Sequence, residues 1–464
     1  MVNKKLEEFS LYIRNKKVAI IGLGISNMQV IKYLLANGAN VKAFHNKAKE
    51  TLDTSILEVL ETNNITCYFG ENYLENLNDF DLIIRSPSAR PDLPEIQKEV
   101  EKGAILTSEI ELVMEMCPGK IIAVTGSDGK TTTTSLIYEI VKKKGYRCYL
   151  GGNIGTPLFE KLSEMEKEDV VVLELSSFQL MTMEKSPDIA VITNISPNHL
   201  DIHESYEEYI NAKANIFTNQ NEYGVLVTNY DNEITKKMAE KANGKVVFFS
   251  RKSNLENGVV FQEGIVKTVT DGLRRHVLNT KNVHLRGVHN YENICAAVAA
   301  TIDIVDIDTI KEAVEDFKGV EHRLEFVREV DKVKWYNDSI GTSPTRTIAG
   351  LNAFEESIVL IAGGYDKNLD YEPLAEPIIK NVTKLILMGK TAEKIRIAVE
   401  NKLKESKTDL QIYNVVSLEE AVSTAKKVAR KDEIVLFSPA SASFDSFKNF
   451  AERGNKFKEI VEKL

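Results

Sequence analysis

The sequence predicts an α/β protein in three domains. These are an N-terminal Rossmann-like unit (residues 1–108), a central unit with a mostly parallel sheet around a P-loop-type turn (109–319), and a C-terminal Rossmann-like α/β unit (320–464). Three observations carry this expectation. Short apolar runs of strand length alternate with amphipathic helical text along the chain. Strand, glycine turn and helix follow one another in KVAIIGLGISNMQVIKYLL and again in IIAVTGSDGKTTTTSLIYEIV. Finally, 464 residues are more than a single hydrophobic core holds.

In the first unit, the turn after Ile21 is similar to a dinucleotide fingerprint, with two departures. Asn27 takes the third glycine position, and the second strand ends in Phe44-His45-Asn46 with no acid for a ribose. Two readings stay open: a Rossmann-like turn for a ligand other than NAD, and a βα turn with no ligand. A later strand, DLIIRSPSARPD, ends in a Ser/Pro/Arg loop, and loops at strand C-termini line the ligand crevice of a parallel sheet. Helical text from Ser108 to Met116 leads into the second unit.

That unit opens on a glycine loop two residues shorter than the G-x-x-x-x-G-K-[ST] pattern. Only Ser127 and Asp128 separate Gly126 from Gly129. The context is nevertheless that of a phosphate loop. Ile121 to Val124 form a buried strand, and Leu136, Ile137, Ile140 and Val141 recur at helical spacing before Gly145 stops the helix. Backbone amides from Gly126 to Thr131 can converge on a phosphate at a helix N-terminus; the alternative is an ordinary βα turn that merely contains glycines. Lys130 supplies a charge for the β/γ oxygens, and the Thr131 hydroxyl can ligate Mg²⁺. Further strands in DVVVLEL, DIAVITNI and YGVLVTN precede a helix in HNYENICAAVAATI, and Ser250 to Val283 reads as an antiparallel edge. In the third unit, KVKWYND, SIVLIAG, KLILMG and EIVLFSP alternate with helices and predict another sheet.

Composition narrows the function classes. With a net charge of −9 and no long basic cluster, a nucleic-acid partner is disfavoured. Four scattered cysteines without metal spacing fit reduced thiols. The N-terminal MVNKKLEEFS lacks the apolar core of a signal peptide, and no apolar run reaches the length of a membrane helix. A soluble, cytoplasmic protein without membrane insertion is expected.

Beside the loop, Glu174 ends an apolar strand, where P-loop enzymes place the acid that holds Mg²⁺. A charge between Leu173 and Leu175 is costly to bury without a partner. His199 follows the next strand; its position allows a ligand in the crevice and equally a surface histidine. Lys213, on the following helix, reads by composition as a solvated lysine.

In order along the chain, VTGSDGKTTT, ELSSFQL, NISPNHLD, NAKANIF and GVHNYEN resemble the motif set of the Mur ligases, ATP-dependent peptide-bond formers of peptidoglycan synthesis. Their loop is the short form, G-[ST]-x-G-K-[ST]. SSFQL and SPASASFDSFKNFAERG resemble the member that adds D-glutamate to the alanyl end of a UDP-linked muramoyl substrate.

The resemblance implies an acyl phosphate made from ATP and displaced by the amine of D-glutamate, with these residues in its service. Gly126, Ser127, Asp128, Gly129, Lys130, Thr131 and Thr132 would hold ATP phosphates. Asn293, Arg323 and Asp338 would contact adenine, phosphates and ribose, so that the active site closes between domains. Thr131 and Glu174 would hold one Mg²⁺, and His199 a second with a carbamylated Lys213, since an unmodified ammonium has no acceptor. Ser26, Asn27, Ser86 and Ser88 would take the UDP end, with Asn153 and His199 nearer the reaction. Thr342, Lys367, Ser443, Phe444 and Phe450 would bind D-glutamate, whose two carboxylates call for a lysine, hydroxyls and amides. A monomer is expected. Two positions depart from the family pattern: Ser88 stands for a glycine, and Ile340 for a lysine.

The competing readings are a sister ligase adding another amino acid such as L-glutamate, an ATP-driven switch, and a non-catalytic nucleotide-binding module. The last is hard to reconcile with Glu174 and His199 beside the loop.

Overall fold

The structure, a computed structural model, describes residues 3–197, 202–285, 287–367, 369–404, 409–444 and 446–464. Two compact units emerge: Met1–Lys281 with Tyr291–Val314, and Asn282–Asn290 with Glu315–Leu464. The first unit holds two sheets and the second holds one. These three sheets are the three-part α/β architecture that the sequence predicts.

Strands β1 (Lys17–Ile21), β2 (Asn40–His45), β3 (Thr66–Phe69), β4 (Leu82–Arg85) and β5 (Ile105–Ser108) form a parallel sheet in the order β3-β2-β1-β4-β5. Strand order reverses between β1 and β4, which opens a crevice at their C-terminal ends. Gly22 follows β1 with φ +89°, and a Cβ there would lie 2.2 Å from Ser86 Oγ. Only glycine lets the two loops meet this closely.

The central sheet contains β6 (Lys120–Thr125), β7 (Cys148–Gly152), β8 (Val170–Glu174), β9 (Ile189–Ile192), β10 (Val225–Asn229), β11 (Lys245–Ser250), β12 (Gly258–Gln262), β13 (Ile265–Thr270) and β14 (Leu273–Asn279). Its order is β14-β13-β12-β11-β10-β9-β6-β8-β7. Pairing is parallel from β7 through β12 and antiparallel for β12–β13 and β13–β14. The antiparallel edge expected after Ser250 is therefore present, although β12 itself joins β11 in parallel. One continuous hydrophobic cluster links the first two sheets: Val18 and Leu34 connect through Ile110, Val113, Phe159 and Leu162 to Leu173 and Ile216.

In the second unit, β15 (Glu325–Val330), β16 (Val333–Asn337), β17 (Ile358–Ala362), β18 (Val382–Leu387), β19 (Gln411–Asn414) and β20 (Ile434–Phe437) take the order β15-β16-β20-β17-β18-β19. All pairs are parallel except the β15–β16 hairpin. Alternation along the strands sends Leu360, Leu385 and Leu436 to one apolar layer and Ile361, Ile386 and Phe437 to the other. Among the described residues, no helix is long and apolar enough to cross a membrane.

Candidate active site

The phosphate loop is shaped by what surrounds it. Gly126 has φ +147°, and a Cβ there would sit 1.9 Å from Thr193 Oγ1. Gly129 has φ +79°, with Asn293 Oδ1 2.1 Å from where its Cβ would be. The loop backbone is then pinned from the strand end after β9. Thr193 Oγ1 donates to the Asp128 carbonyl at 2.6 Å, and Asn194 Oδ1 accepts from the Asp128 amide at 3.0 Å. Ser127 Oγ donates to the Ser196 carbonyl at 2.9 Å and shares a hydrogen bond with the Tyr209 hydroxyl at 2.8 Å.

The helix Lys130–Lys143 begins at Gly129 without a side-chain cap, so its first amides are available to an anion. Lys130 Nζ donates to the Gly126 and Ser127 carbonyls at 3.0 and 2.9 Å, folded over the loop that it would serve. Thr132 is buried and Thr131 half-buried.

Pairing of β8 with β6 sets Glu174 opposite Val124 and so beside the loop. The residue is 1% exposed. Asn153, just after β7, donates from Nδ2 to Glu174 Oε1 at 2.8 Å, and its own amide donates to the Glu174 carbonyl at 2.8 Å. Glu174 Oε2 is buried with no hydrogen-bond partner among the described residues. A carboxylate oxygen left in this state is costly, and a hard cation such as Mg²⁺ satisfies it. The buried, unpaired carboxylate oxygen thus fits the metal that the motif implies. Among the described residues no group of three or more His, Cys, Asp and Glu side chains gathers as a metal site. His199 lies outside the described residues.

Lys213 departs from what composition alone suggests. On the helix Tyr206–Thr218 it shares the buried face with Tyr209, Ala212, Ile216 and Phe217, and it is 2% exposed. Its Nζ donates to Thr125 Oγ1 at 3.2 Å and lies 4.8 Å from the Tyr209 ring centroid. Burial, reinforced by the nearby Lys130 charge, holds its pKa well below the usual lysine range; Glu174 and Asp128 oppose this without reversing it.

In the first sheet, the proposed UDP-side residues gather at the β1–β4 crevice. Asn27 is buried and donates to the Gly22 carbonyl at 2.7 Å; Ser26 is half-buried one residue before it. Ser86 and Ser88 share a hydrogen bond at 2.9 Å, with Ser88 exposed. Sequence reasoning missed Arg85. It ends the apolar strand β4, is fully buried, and donates to the Ala89 and Phe178 carbonyls and to Thr182 Oγ1.

In the second unit, Asp338 lies beneath the surface rather than on it. Its carboxylate accepts from Ser438 Oγ at 2.6 Å and from the Leu324 amide at 3.2 Å, and burial pushes its pKa up to about 7. Arg323 is exposed, while Thr342 and Ile340 are half-buried. Lys367 is exposed with Nζ 5.3 Å from the ring centroid of Phe444, itself 57% exposed. Ser443 is buried beside it, and half-buried Phe450 accepts from Ser339 Oγ through its carbonyl at 2.8 Å. A second missed residue, buried Arg453, ties these loops together by donating to the Ser339, Ser441 and Ala442 carbonyls.

The chain matches three family models: Mur ligase MurD-like, N-terminal domain, over residues 16–108; Mur ligase middle domain over 124–301; and Mur ligase, glutamate ligase domain, over 322–441. It is 50% identical to the UDP-N-acetylmuramoylalanine--D-glutamate ligase of Acetivibrio thermocellus and 48% identical to that of Ruminiclostridium cellulolyticum, with 100% of each chain covered in both comparisons. The fold is also that of the UDP-N-acetylmuramate-alanine ligase of Thermotoga maritima. That structure is 22% identical with a TM-score of 0.56, over 97% of this chain and 99% of that one. With its phosphate loop, buried glutamate and buried lysine on the elements that these matches span, the chain belongs to the Mur ligase family.

Proposed function

We propose that this Mur ligase joins D-glutamate to UDP-N-acetylmuramoyl-L-alanine at the expense of ATP, giving ADP and phosphate in peptidoglycan precursor synthesis. The observation that carries the reading is the 50% identity, over the whole chain, with a relative named for that reaction. The tasks divide along the chain: residues 1–108 take the UDP substrate, 109–319 ATP, and 320–464 D-glutamate.

The γ-phosphoryl group passes to an oxygen of the alanyl carboxylate. The D-glutamate amine then adds to the acyl carbon, and phosphate leaves from the tetrahedral adduct as the amine gives up its proton. Such chemistry depends on charge neutralisation and alignment more than on a protein nucleophile. The amides from Gly126 to Thr132 and the Lys130 ammonium take the ATP phosphates. Asn293, Arg323 and Asp338 serve as further ATP contacts. Asn153 holds Glu174 in place by the amide-to-carboxylate bond at 2.8 Å and contacts the UDP substrate together with His199. Ser26, Asn27, Ser86 and Ser88 receive the UDP end, while Thr342, Lys367, Ser443, Phe444 and Phe450 receive D-glutamate.

Thr131 with Glu174 would hold one Mg²⁺, and His199 with Lys213 a second, supplying neutralisation of phosphate charge when bound. Lys213 takes part as a carbamate. Its depressed pKa supports this, because only the neutral amine adds CO₂. The protein works as a cytoplasmic monomer on small-molecule substrates.

The test is phosphate release from ATP with UDP-N-acetylmuramoyl-L-alanine and a panel of amino acids. D-Glutamate should be strongly preferred over L-glutamate, L-alanine and diamino acids. Preference for any other member of the panel assigns a sister ligase, and release without acceptor or amino acid assigns an ATPase.

A further inference from the structure

The loop after β4 and the segment after β8 are connected by a chain of side chains that the reaction itself does not call for. Arg90 makes a bidentate pair with Asp92 at 2.9 and 2.7 Å. It also donates to the Ile202 carbonyl at 2.7 Å and to Glu208 at 2.7 Å (Oε1) and 3.4 Å (Oε2), with Glu204 Oε1 at 3.7 Å. Glu208, in the first turn of the helix that carries Lys213, accepts from the Glu204 amide at 2.9 Å and meets His203 Nδ1 through Oε2 at 2.9 Å. The other ring nitrogen, His203 Nε2, lies 2.9 Å from Ser177 Oγ. Ser177 begins the short helix Ser177–Leu180, three residues beyond Glu174.

A carboxylate on Nδ1 fixes the imidazole tautomer with the proton there, so the Ser177 hydroxyl donates to Nε2. Packing holds the ring as well: His203 stacks on Phe178 with centroids 5.0 Å apart and meets Tyr209 edge-on at 5.3 Å. Tyr209 in turn touches both Ser127 of the phosphate loop and Lys213.

Serine, histidine and glutamate here have the connectivity of a hydrolytic triad. Ser177 and His203 are both buried, however, at 2% and 3% exposure, so the serine meets no substrate. Orientation is what remains for such an arrangement to do.

We propose that His203 is a positioning residue which, through Glu208 and Ser177, couples the Arg90 loop on the UDP-substrate side to the strand end bearing Glu174. The inference rests on the UDP-substrate reading above for the identity of the ligand, and on the hydrogen bonds alone for the coupling.

Arg90 and Ser177 share no hydrogen bond, so a double-mutant cycle isolates the path between them. The variants are Arg90→Met, Ser177→Ala and the pair, each in the native and His203→Phe backgrounds, where phenylalanine keeps the stacking and removes both ring hydrogen bonds. Two quantities are read on the full-length protein: kcat/KM for UDP-N-acetylmuramoyl-L-alanine and Kd for Mg-ATP. We expect the paired effects to depart from the product of the single ones by roughly 3-fold or more in at least one quantity, and the departure to vanish with His203→Phe. Should His203→Phe fail to fold, Glu208→Gln replaces it, since it takes the charge from the same link. Multiplicative effects in both quantities, or a departure that survives loss of the link, overturn the inference. So does labelling of Ser177 by a fluorophosphonate, which would make it a reactive nucleophile. A wild-type protein inactive with the UDP substrate sinks the substrate reading, and the Mg-ATP cycle still decides the coupling.

Discussion

Lys213 Nζ stands 3.2 Å from the Thr125 hydroxyl, at the last residue of the strand that feeds the phosphate loop. The side chain is buried beside Tyr209, and among the described residues no carboxylate pairs with it at hydrogen-bond distance. Such a site favours the uncharged amine, which is the form that CO₂ captures.

From this follows the behaviour of Lys213 variants. Lys213→Ala should be nearly inactive in phosphate release, and short carboxylic acids added to the assay should restore part of the activity by occupying the carbamate's place. Lys213→Arg should not respond, because its charge stays and its side chain fills the space. Normal turnover by the alanine variant would remove Lys213 from the site.

Lys130→Ala and Glu174→Gln test the phosphate end. Loss of one preorganised electrostatic contact costs ~10²–10³-fold in turnover, and both variants should lose at least that. Glu174→Gln also keeps the shape that Asn153 grips, so its melting temperature should stay near wild type. Near-normal rates in folded protein would place the phosphate chemistry elsewhere.

Lys367→Met should raise KM for D-glutamate while leaving KM for ATP little changed. A charged hydrogen bond contributes about 1.5–3 kcal/mol, which corresponds to roughly 10- to 100-fold in affinity. An unchanged KM for D-glutamate would free Lys367 and its Phe444 neighbour from that role.

Stability should depend on pH through Glu109, which opens the helix Glu109–Met116. Burial raises its pKa from 4.5 to about 7, against the opposing hydrogen bonds from Leu158 and Phe159, and its Oε1 has no partner. A raised folded pKa means that its contribution is fully present below about pH 4.5 and lost as pH rises through about 7. Glu109→Gln is neutral throughout. Its melting temperature should exceed that of wild type most at pH 8, with the difference shrinking towards pH 4; the stability difference behind it is at most about 3.4 kcal/mol. A difference independent of pH would contradict the assignment.

The fold was legible where local pattern and tertiary role agree. Strand, glycine loop and helix around Gly126 to Lys130, and an acid closing an apolar strand at Glu174, are signals that need no distant partner. Weak signals came from edge strands such as β15 and β19, whose half-buried residues carry little apolar pattern. Lys213 was hidden by its own chemistry, although its place in the stripe Tyr209, Ala212, Ile216 and Phe217 is a readable hint that the helix buries it. Arg85 and Arg453 gave no such hint. Both donate mainly to backbone carbonyls, those of Phe178 and Ser339 lying far away along the chain, and carbonyl directions are not written in side-chain identities.

The most direct test of the central claim follows an oxygen atom. UDP-N-acetylmuramoyl-L-alanine labelled with ¹⁸O in the alanyl carboxylate is converted with ATP and D-glutamate, and the released phosphate is analysed by mass spectrometry. Transfer of phosphate to the carboxylate and its departure from the tetrahedral adduct carry one ¹⁸O into each phosphate formed. Phosphate free of label, or AMP in place of ADP, would contradict the acyl phosphate route and the roles given to Lys130, Glu174 and Lys213 within it.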